Sequence, residues 1–252
     1  MAALSDLPDS STIHIVRYHQ AWMEEDRLYI QTELCSSNLL EELRSNHGIR
    51  FNEDRLFKLL REILLALKLV HQNGMVHLDI KPENIFVKNE QYKLGDFGLA
   101  NQTTTKDEIE EGDSRYMSRE LLADDHTDLT KSDIFSMGMT MYEICLGRNL
   151  PSDGPEWQSI RDGKLSPMPN VSIGMKRVIC EMTKPNFMER PSAEFLLQTN
   201  KQLMSQDQKL LIIERNKVTE AQIAHQRLLE RMQPPPAKRG LKRFNTWSIG
   251  EG

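Results

Sequence analysis

Cysteine is scarce in this 252-residue sequence: Cys35, Cys145 and Cys180 stand far apart, with no C-x-x-C pair and no histidine cluster beside them. A disulfide framework and a structural zinc site are excluded on that spacing, and a reducing compartment is expected. Long hydrophobic runs are missing too. The longest, Ile63–Leu67 and Leu210–Ile213, fall far short of the roughly 18 residues that cross a bilayer. Met1–Asp9 has neither a basic flank nor an apolar core, so no signal peptide is expected. Basic residues are not in excess: 32 Lys and Arg against 37 Asp and Glu give a net charge of −5. No global positive field recruits nucleic acid or anionic lipid. The expectation is a soluble intracellular protein, nuclear or cytoplasmic, with no membrane span and no nucleic-acid partner.

What is present falls into zones. A polar lead, 1–11, precedes steady periodicity from about 12 to 200. Residues 201–233 are charged and helical in pattern, read as a solvated or partner-dependent helix because their apolar positions keep no clean heptad. Residues 234–252 pass from Pro234-Pro235-Pro236 into a basic tail expected to be disordered. Its pairs Lys238-Arg239 and Lys242-Arg243 also fit a nuclear import or phospho-regulatory segment, and the whole tail is a candidate site for regulatory proteins. Within the packed zone, strands are predicted at Ile13–Tyr18 and Arg27–Leu34, joined by the acidic turn Glu24-Glu25-Asp26. Asn52 precedes Phe57, Leu60, Leu64, Leu67 and His71, a helical stripe that ends near Gly74. Short strands follow at Ile85–Val87 and Tyr92–Leu94. Asp133–Leu146 is apolar almost all round and predicts a buried central helix with Met137, Met139 and Met141 as core filler. Further helices are predicted at Glu156–Arg161, Ile173–Met182 and Ser192–Thr199. The fold class is α+β, rich in helix.

The stretch that carries chemistry is His77-Leu78-Asp79-Ile80-Lys81-Pro82-Glu83-Asn84, followed by Asp96-Phe97-Gly98. Four fixed residues at fixed spacing arise by chance in roughly 1 in 600 chains of this length, and the downstream triplet lowers that at least about a hundredfold. The pattern suits phosphoryl transfer from a magnesium nucleotide. Asp79 would hold a carboxylate beside an acceptor hydroxyl, and Lys81 would neutralise the migrating phosphoryl group. Asn84 and Asp96 offer hard oxygens to Mg²⁺, with Gly98 expected to let the backbone turn so that Asp96 reaches the metal. His77 reads as a packed core histidine. Glu110, Glu111 and Asp113 read either as a solvated acidic loop or as a docking contact.

This stretch resembles the catalytic and metal-binding loops of a eukaryotic protein kinase. Leu28–Cys35, Val76–Phe86, Lys93–Leu99 and Glu111–Met117 resemble the Wee/Myt family of cell-cycle inhibitory kinases, over about residues 13–200. The intact Asp-Phe-Gly and the hinge Gln31–Cys35 resemble the Myt branch; the tail resembles the Wee branch. The resemblance implies a protein-kinase-like fold, mainly the helical large lobe (35–200) with a remnant of the small-lobe sheet (12–34) and hinge. Backbone groups of Glu33 and Cys35 would bind adenine beside a gatekeeper Thr32, Glu120 would pair with Arg190, and Asp133 would brace the catalytic loop. The implied activity is ATP- and Mg²⁺-dependent phosphorylation of tyrosine or threonine on a cyclin-dependent kinase with its cyclin, which holds back mitosis.

Such an enzyme also needs a glycine-rich lid and a strand lysine. No glycine precedes Gly48 and no lysine precedes Lys58. The chain is therefore expected to be a fragment, splice form or incomplete gene product, and a catalytically impaired substrate-binding module is the alternative reading. Leu78 stands where an arginine usually precedes the catalytic aspartate, so nothing is in place to bind an activation-loop phosphate. Activity is accordingly expected not to require phosphorylation there. Alanine at Thr103, Thr104, Thr105 or Ser114 should leave transfer to substrate intact, and abolition by these changes would contradict it.

Overall fold

Asn52 starts helix formation by accepting the Arg55 amide on its side chain, 2.8 Å, which satisfies one of the orphan donors of a first turn. In the computed structural model, which describes residues 13–45, 51–102 and 112–204, this opens a long helix, Glu53–Gln72. Gly74, at φ +69°, closes it in the left-handed conformation expected of a glycine just past a helix end. The buried face is wider than the predicted stripe. It adds Leu56, Leu59, Ile63, Ala66 and Val70 to Phe57, Leu60, Leu64 and Leu67.

In chain order the described elements are β1 (Tyr18–Glu24), β2 (Arg27–Thr32), β3 (Ser37–Asn38), α1 (Leu39–Ser45), α2 (Glu53–Gln72) and β4 (Met75–Val76). They continue as β5 (Ile85–Lys88), β6 (Gln91–Leu94), β7 (Asn101–Gln102), α3 (Arg119–Leu122), α4 (Thr130–Leu146), α5 (Gly154–Arg161), α6 (Ile173–Met182) and α7 (Ala193–Thr199). Three small antiparallel sheets join β1 to β2, β3 to β5 to β6, and β4 to β7. The described residues belong to one compact unit. The polar lead, Glu110, Glu111 and the tail from residue 205 onward lie outside the described residues.

Two expectations need correction. The first strand is not Ile13–Tyr18 but Tyr18–Glu24. Its register is set by a two-residue turn, Glu25 and Asp26 at φ +49° and +58°, the mirror-image geometry that matches strand twist. Ile15 belongs instead to a single parallel bridge with Leu94, with Val16 N–H bonded to the Leu94 carbonyl and Leu94 N–H to that of His14. Alternation alone could not separate these two partners. The second correction concerns the start of the charged segment: residues 201–204 form a turn, not helix. Leu203 is fully buried there, and its carbonyl accepts Arg61 Nε at 3.1 Å.

Helix α4 is the centre of the core. Ile134, Met137, Met139, Met141 and Tyr142 have no solvent exposure, and Gly147 at φ +71° ends the helix. It crosses α6 at Gly138, where an added Cβ would lie 2.7 Å from Thr183 Cγ2 and 2.9 Å from Met182 Cβ. Gly138→Ala should therefore cost about 1–3 kcal/mol through overpacking. Urea unfolding measures this, and a loss under about 0.5 kcal/mol would show that α6 gives way freely.

Candidate active site

A buried carboxylate shapes the loop between β4 and β5. Asp133, on α4 and without solvent exposure, accepts the amides of His77 (2.9 Å) and Leu78 (2.8 Å), and its Oδ2 also meets His71 Nε2 at 2.8 Å. Held this way, Leu78 sits at φ +65°, a conformation costly for a side chain with a Cβ. His77 is fully buried, and burial lowers its pKa. Its Nε2 meets the Gly95 carbonyl at 2.9 Å and its Nδ1 lies 3.3 Å from the Asp79 amide nitrogen, so the ring donates from Nε2 and accepts at Nδ1. The packed-histidine reading stands, and the ring also braces Asp79 against the segment that carries Asp96.

Three of the predicted residues meet directly. Lys81 Nζ contacts both Asp79 oxygens at 2.9 and 2.7 Å. Asn84 Nδ2 donates to Asp79 Oδ2 and to the Asp79 carbonyl, both at 2.8 Å. Lys81 has extended backbone, as expected, and Pro82–Asn84 forms one 3₁₀ turn. The Asn84 carbonyl accepts the Gly95 amide at 3.0 Å, tying this turn to the start of Gly95-Asp96-Phe97-Gly98. Gly98 lies in a turn, as expected, though not in a left-handed conformation. The left-handed residue is Asp96, at φ +57°, and the Gly98 amide instead donates to Asp96 Oδ1 at 3.3 Å.

Asp96 lines one cavity of about 530 Å³ with Val16, Thr32, Glu33, Cys35 and Phe86. Gly95 is what lets Phe86 and Val16 close over that point: a Cβ there would meet each at 2.8 Å. The Glu33 amide is bonded to the Arg17 carbonyl at 2.8 Å, so its carbonyl is the backbone group left to a ligand among the described contacts. Burial, then the Glu33 charge, pushes the Cys35 thiol up. Sequence reasoning took only backbone groups from Glu33, yet its side chain is the more consequential part. Lys88 Nζ and Lys93 Nζ each lie 2.7 Å from one carboxylate oxygen, clamping the hinge to β5 and β6.

The second edge of the site is the segment from Gly112. A Cβ at Gly112 would lie 3.1 Å from the Leu78 carbonyl and 3.3 Å from Asp79 Oδ1, so this backbone runs against the Asp79 carboxylate. Asp113, one of the acidic-loop residues, is bound by Arg115 Nε and amide at 3.0 Å each, and Arg115 also reaches Glu83 at 3.5 Å. The ion pair of Glu120 with Arg190 forms as expected, two-pronged and buried, and Arg190 Nη2 lies 3.0 Å from Glu120 Oε2. Leu78 joins Val76, Met117, Leu121 and Leu129 in a separate apolar cluster, filling with hydrocarbon the place where a phosphate-binding cation was missing.

Residues 5–200 match the model of the protein kinase domain. The chain belongs to the protein kinase family. It is 41% identical over 184 residues to the Wee1-like protein kinase of Oryza sativa subsp. japonica, covering 73% of this chain and 35% of that protein. It is 37% identical over 211 residues to Wee1-like protein kinase 2 of Ailuropoda melanoleuca, covering 73% and 37%. Against the membrane-associated tyrosine- and threonine-specific cdc2-inhibitory kinase wee-1.3 of Caenorhabditis elegans it is 37% identical over 190 residues, covering 73% and 28%. The chain thus spans about a third of the length of these relatives. No helix among the described residues is long and apolar enough to cross a membrane.

Asp79, Lys81 and Asn84 were legible in this kinase sequence from spacing alone. Gly95, Gly112 and the Asp113–Arg115 pair were not, because a close approach and a two-residue ion pair leave no periodic trace. The Glu33 clamp has a pH signature. Burial would raise its carboxyl, but Lys88, Lys93 and the Arg17 amide outweigh it and hold the pKa at about 2. A carboxylate depressed on folding stabilises above its unfolded value, near 4.5, and loses that contribution as pH falls toward 2. Glu33→Gln should cost about 1–3 kcal/mol near neutrality, and the deficit should shrink by pH 3. Denaturant unfolding across that range measures it, and a pH-independent deficit would refute the clamp.

Proposed function

We propose that this kinase-family chain transfers the γ-phosphoryl group of ATP to a tyrosine or threonine of a cyclin-bound cyclin-dependent kinase, holding back mitosis. The observation that carries the reading is the convergence on Asp79: one carboxylate bearing a cation and an amide, beside the half-buried backbone of Gly112, with a cavity bordered by Asp96. A relative named as a cdc2-inhibitory kinase supports the substrate class.

The residues divide the work. Asp79 accepts the proton of the acceptor hydroxyl as its oxygen bonds to the γ-phosphorus and the bond to the bridging β,γ-oxygen breaks, releasing ADP. Lys81 holds both oxygens of Asp79 and lends positive charge to the transferring group. Thr32, Glu33 and Cys35 border the adenine, through the Glu33 carbonyl and the Cys35 amide. A divalent cation fits the donor set: Asn84 is anchored by its Nδ2, which turns its Oδ1 outward as a hard ligand, and Asp96 supplies a carboxylate. Held by Asn84 and Asp96, Mg²⁺ would neutralise charge on the phosphates.

A second reading has its own support. Residues 1–47 contain no glycine and no lysine, so they bring no flexible lid and no strand ammonium to the phosphates. On that reading the chain binds the cyclin-dependent kinase without phosphorylating it. One experiment separates the two. Phosphate transfer to a purified cyclin-bound kinase should be measurable and should fall about 10²–10⁴-fold in Asp79→Asn, and Asp96→Asn should weaken binding of ADP with Mg²⁺. Substrate capture with neither nucleotide binding nor transfer would leave the binding-module reading standing.

A further inference from the structure

Arg161, the last residue of α5, is 1% exposed, yet no carboxylate pairs with it among the described residues. Its partners are neutral. Nη2 donates to the carbonyls of Ser114 (2.5 Å) and Met117 (2.9 Å), and Nη1 donates to Trp157 at 3.3 Å. The guanidinium lies over the Trp157 ring, 3.8 Å from its centroid, and Trp157 Nε1 donates to the same Ser114 carbonyl at 3.0 Å. Nε is buried without any partner. Burial first, and then the charge of Arg119, bring its pKa down to about 10.

A buried, uncompensated cation with an orphaned donor is a poor device for stability, since an apolar side chain of the same size would avoid the desolvation. Arg161 does give a planar fork that grips two carbonyls of one short segment. That segment leaves Asp79 at Gly112, whose backbone already lies against the carboxylate. An acceptor hydroxyl that reaches Asp79 thus meets the start of residues 112–118, whose later backbone Arg161 grips.

We propose that Arg161, stacked on Trp157, is a positioning residue for the protein acceptor: it fixes the Ser114–Met117 backbone on which the acceptor peptide lies, and takes no part in nucleotide binding. The substrate role rests on the function proposed above; the grip on the backbone does not. Both are tested with the full 252-residue chain. Amide hydrogen exchange at residues 115–118 should accelerate at least about tenfold in Arg161→Met, with exchange in α2 and α4 unchanged; unaltered exchange overturns the grip whatever the substrate. With a cyclin-bound kinase as acceptor, Arg161→Met should raise KM for that protein about tenfold while KM for ATP stays within about twofold. Arg161→Lys and Trp157→Phe should fall between Arg161→Met and wild type. A fall in kcat alone, or KM values that move together, shows a merely structural residue and overturns the role. If the wild type transfers no phosphate, equilibrium binding of the same acceptor replaces KM, with the same tenfold expectation and the same failure. A wild type that neither transfers nor binds refutes the proposed function and this substrate role together, and exchange still decides the grip.

Discussion

A carboxylate without solvent, Asp133, is the constraint on which the site depends. Two successive backbone amides, those of His77 and Leu78, point down into it from the loop above. Just beyond these two amides the chain turns sharply, with Leu78 at φ +65°. A leucine in that region is strained by a kilocalorie per mole or more. Charge-assisted hydrogen bonds in a buried setting are strong enough to hold it. The turn then sends the Leu78 side chain into the apolar cluster with Met117 and Leu121, and swings Asp79 out toward Lys81 and Asn84. One buried acid thereby sets the direction of its neighbours on both faces of the loop.

Two buried acids, Glu120 and Glu143, differ in how they are held. Glu120 and Arg190 neutralise each other, and Ser132 Oγ adds a hydrogen bond to the same carboxylate. Removing either partner would strand the other, the situation in which a buried pair becomes costly to break. Glu143 is different. Burial raises its pKa, only partly offset by the Tyr116 hydroxyl and the Leu150 amide. Tyr116, in turn, is pushed up by burial and by the same Glu143. Glu120, Tyr116 and the Met117 carbonyl all belong to residues 112–122, so polar contacts join its apolar packing in tying this segment to α4, α5 and residue 190.

How much of this was legible follows from what each feature leaves in a sequence. The long helices were plain, because burying one face of a helix forces a period of 3.6 on many residues; Ile173–Met182 is found at its predicted limits, with Ser172 as cap. The short β5 and β6 were found to within one residue, since Asn89 and Glu90 make a turn between alternating runs. The start of the hairpin was not. Ile13–Tyr18 and Tyr18–Glu24 are both extended, and only long-range pairing with Leu94 or with β2 tells them apart. Asp79, Lys81 and Asn84 sit within one tight turn, so their meeting is dictated by local geometry. Gly112, 33 positions from Asp79, meets it only through the fold. Arg161 looked like an ordinary basic residue ending a helix, which it would be were Trp157 and the Ser114 carbonyl not beside it.

The replacement of a cation by Leu78 has a consequence for how order reaches the site. A basic residue at that place would make the arrangement of residues 112–122 depend on an added anion, with the salt and pH dependence that entails. A leucine packed on Met117, Leu121 and Leu129 makes the same junction through excluded water, which is indifferent to phosphate and weakly sensitive to salt. Asp113 and Arg115 pair within the segment, and Arg115 also reaches Glu83. The backbone beside Asp79 is thus fixed by hydrocarbon at Leu78 and by a local ion pair at Asp113 and Arg115. The order at this junction comes from the chain's own side chains.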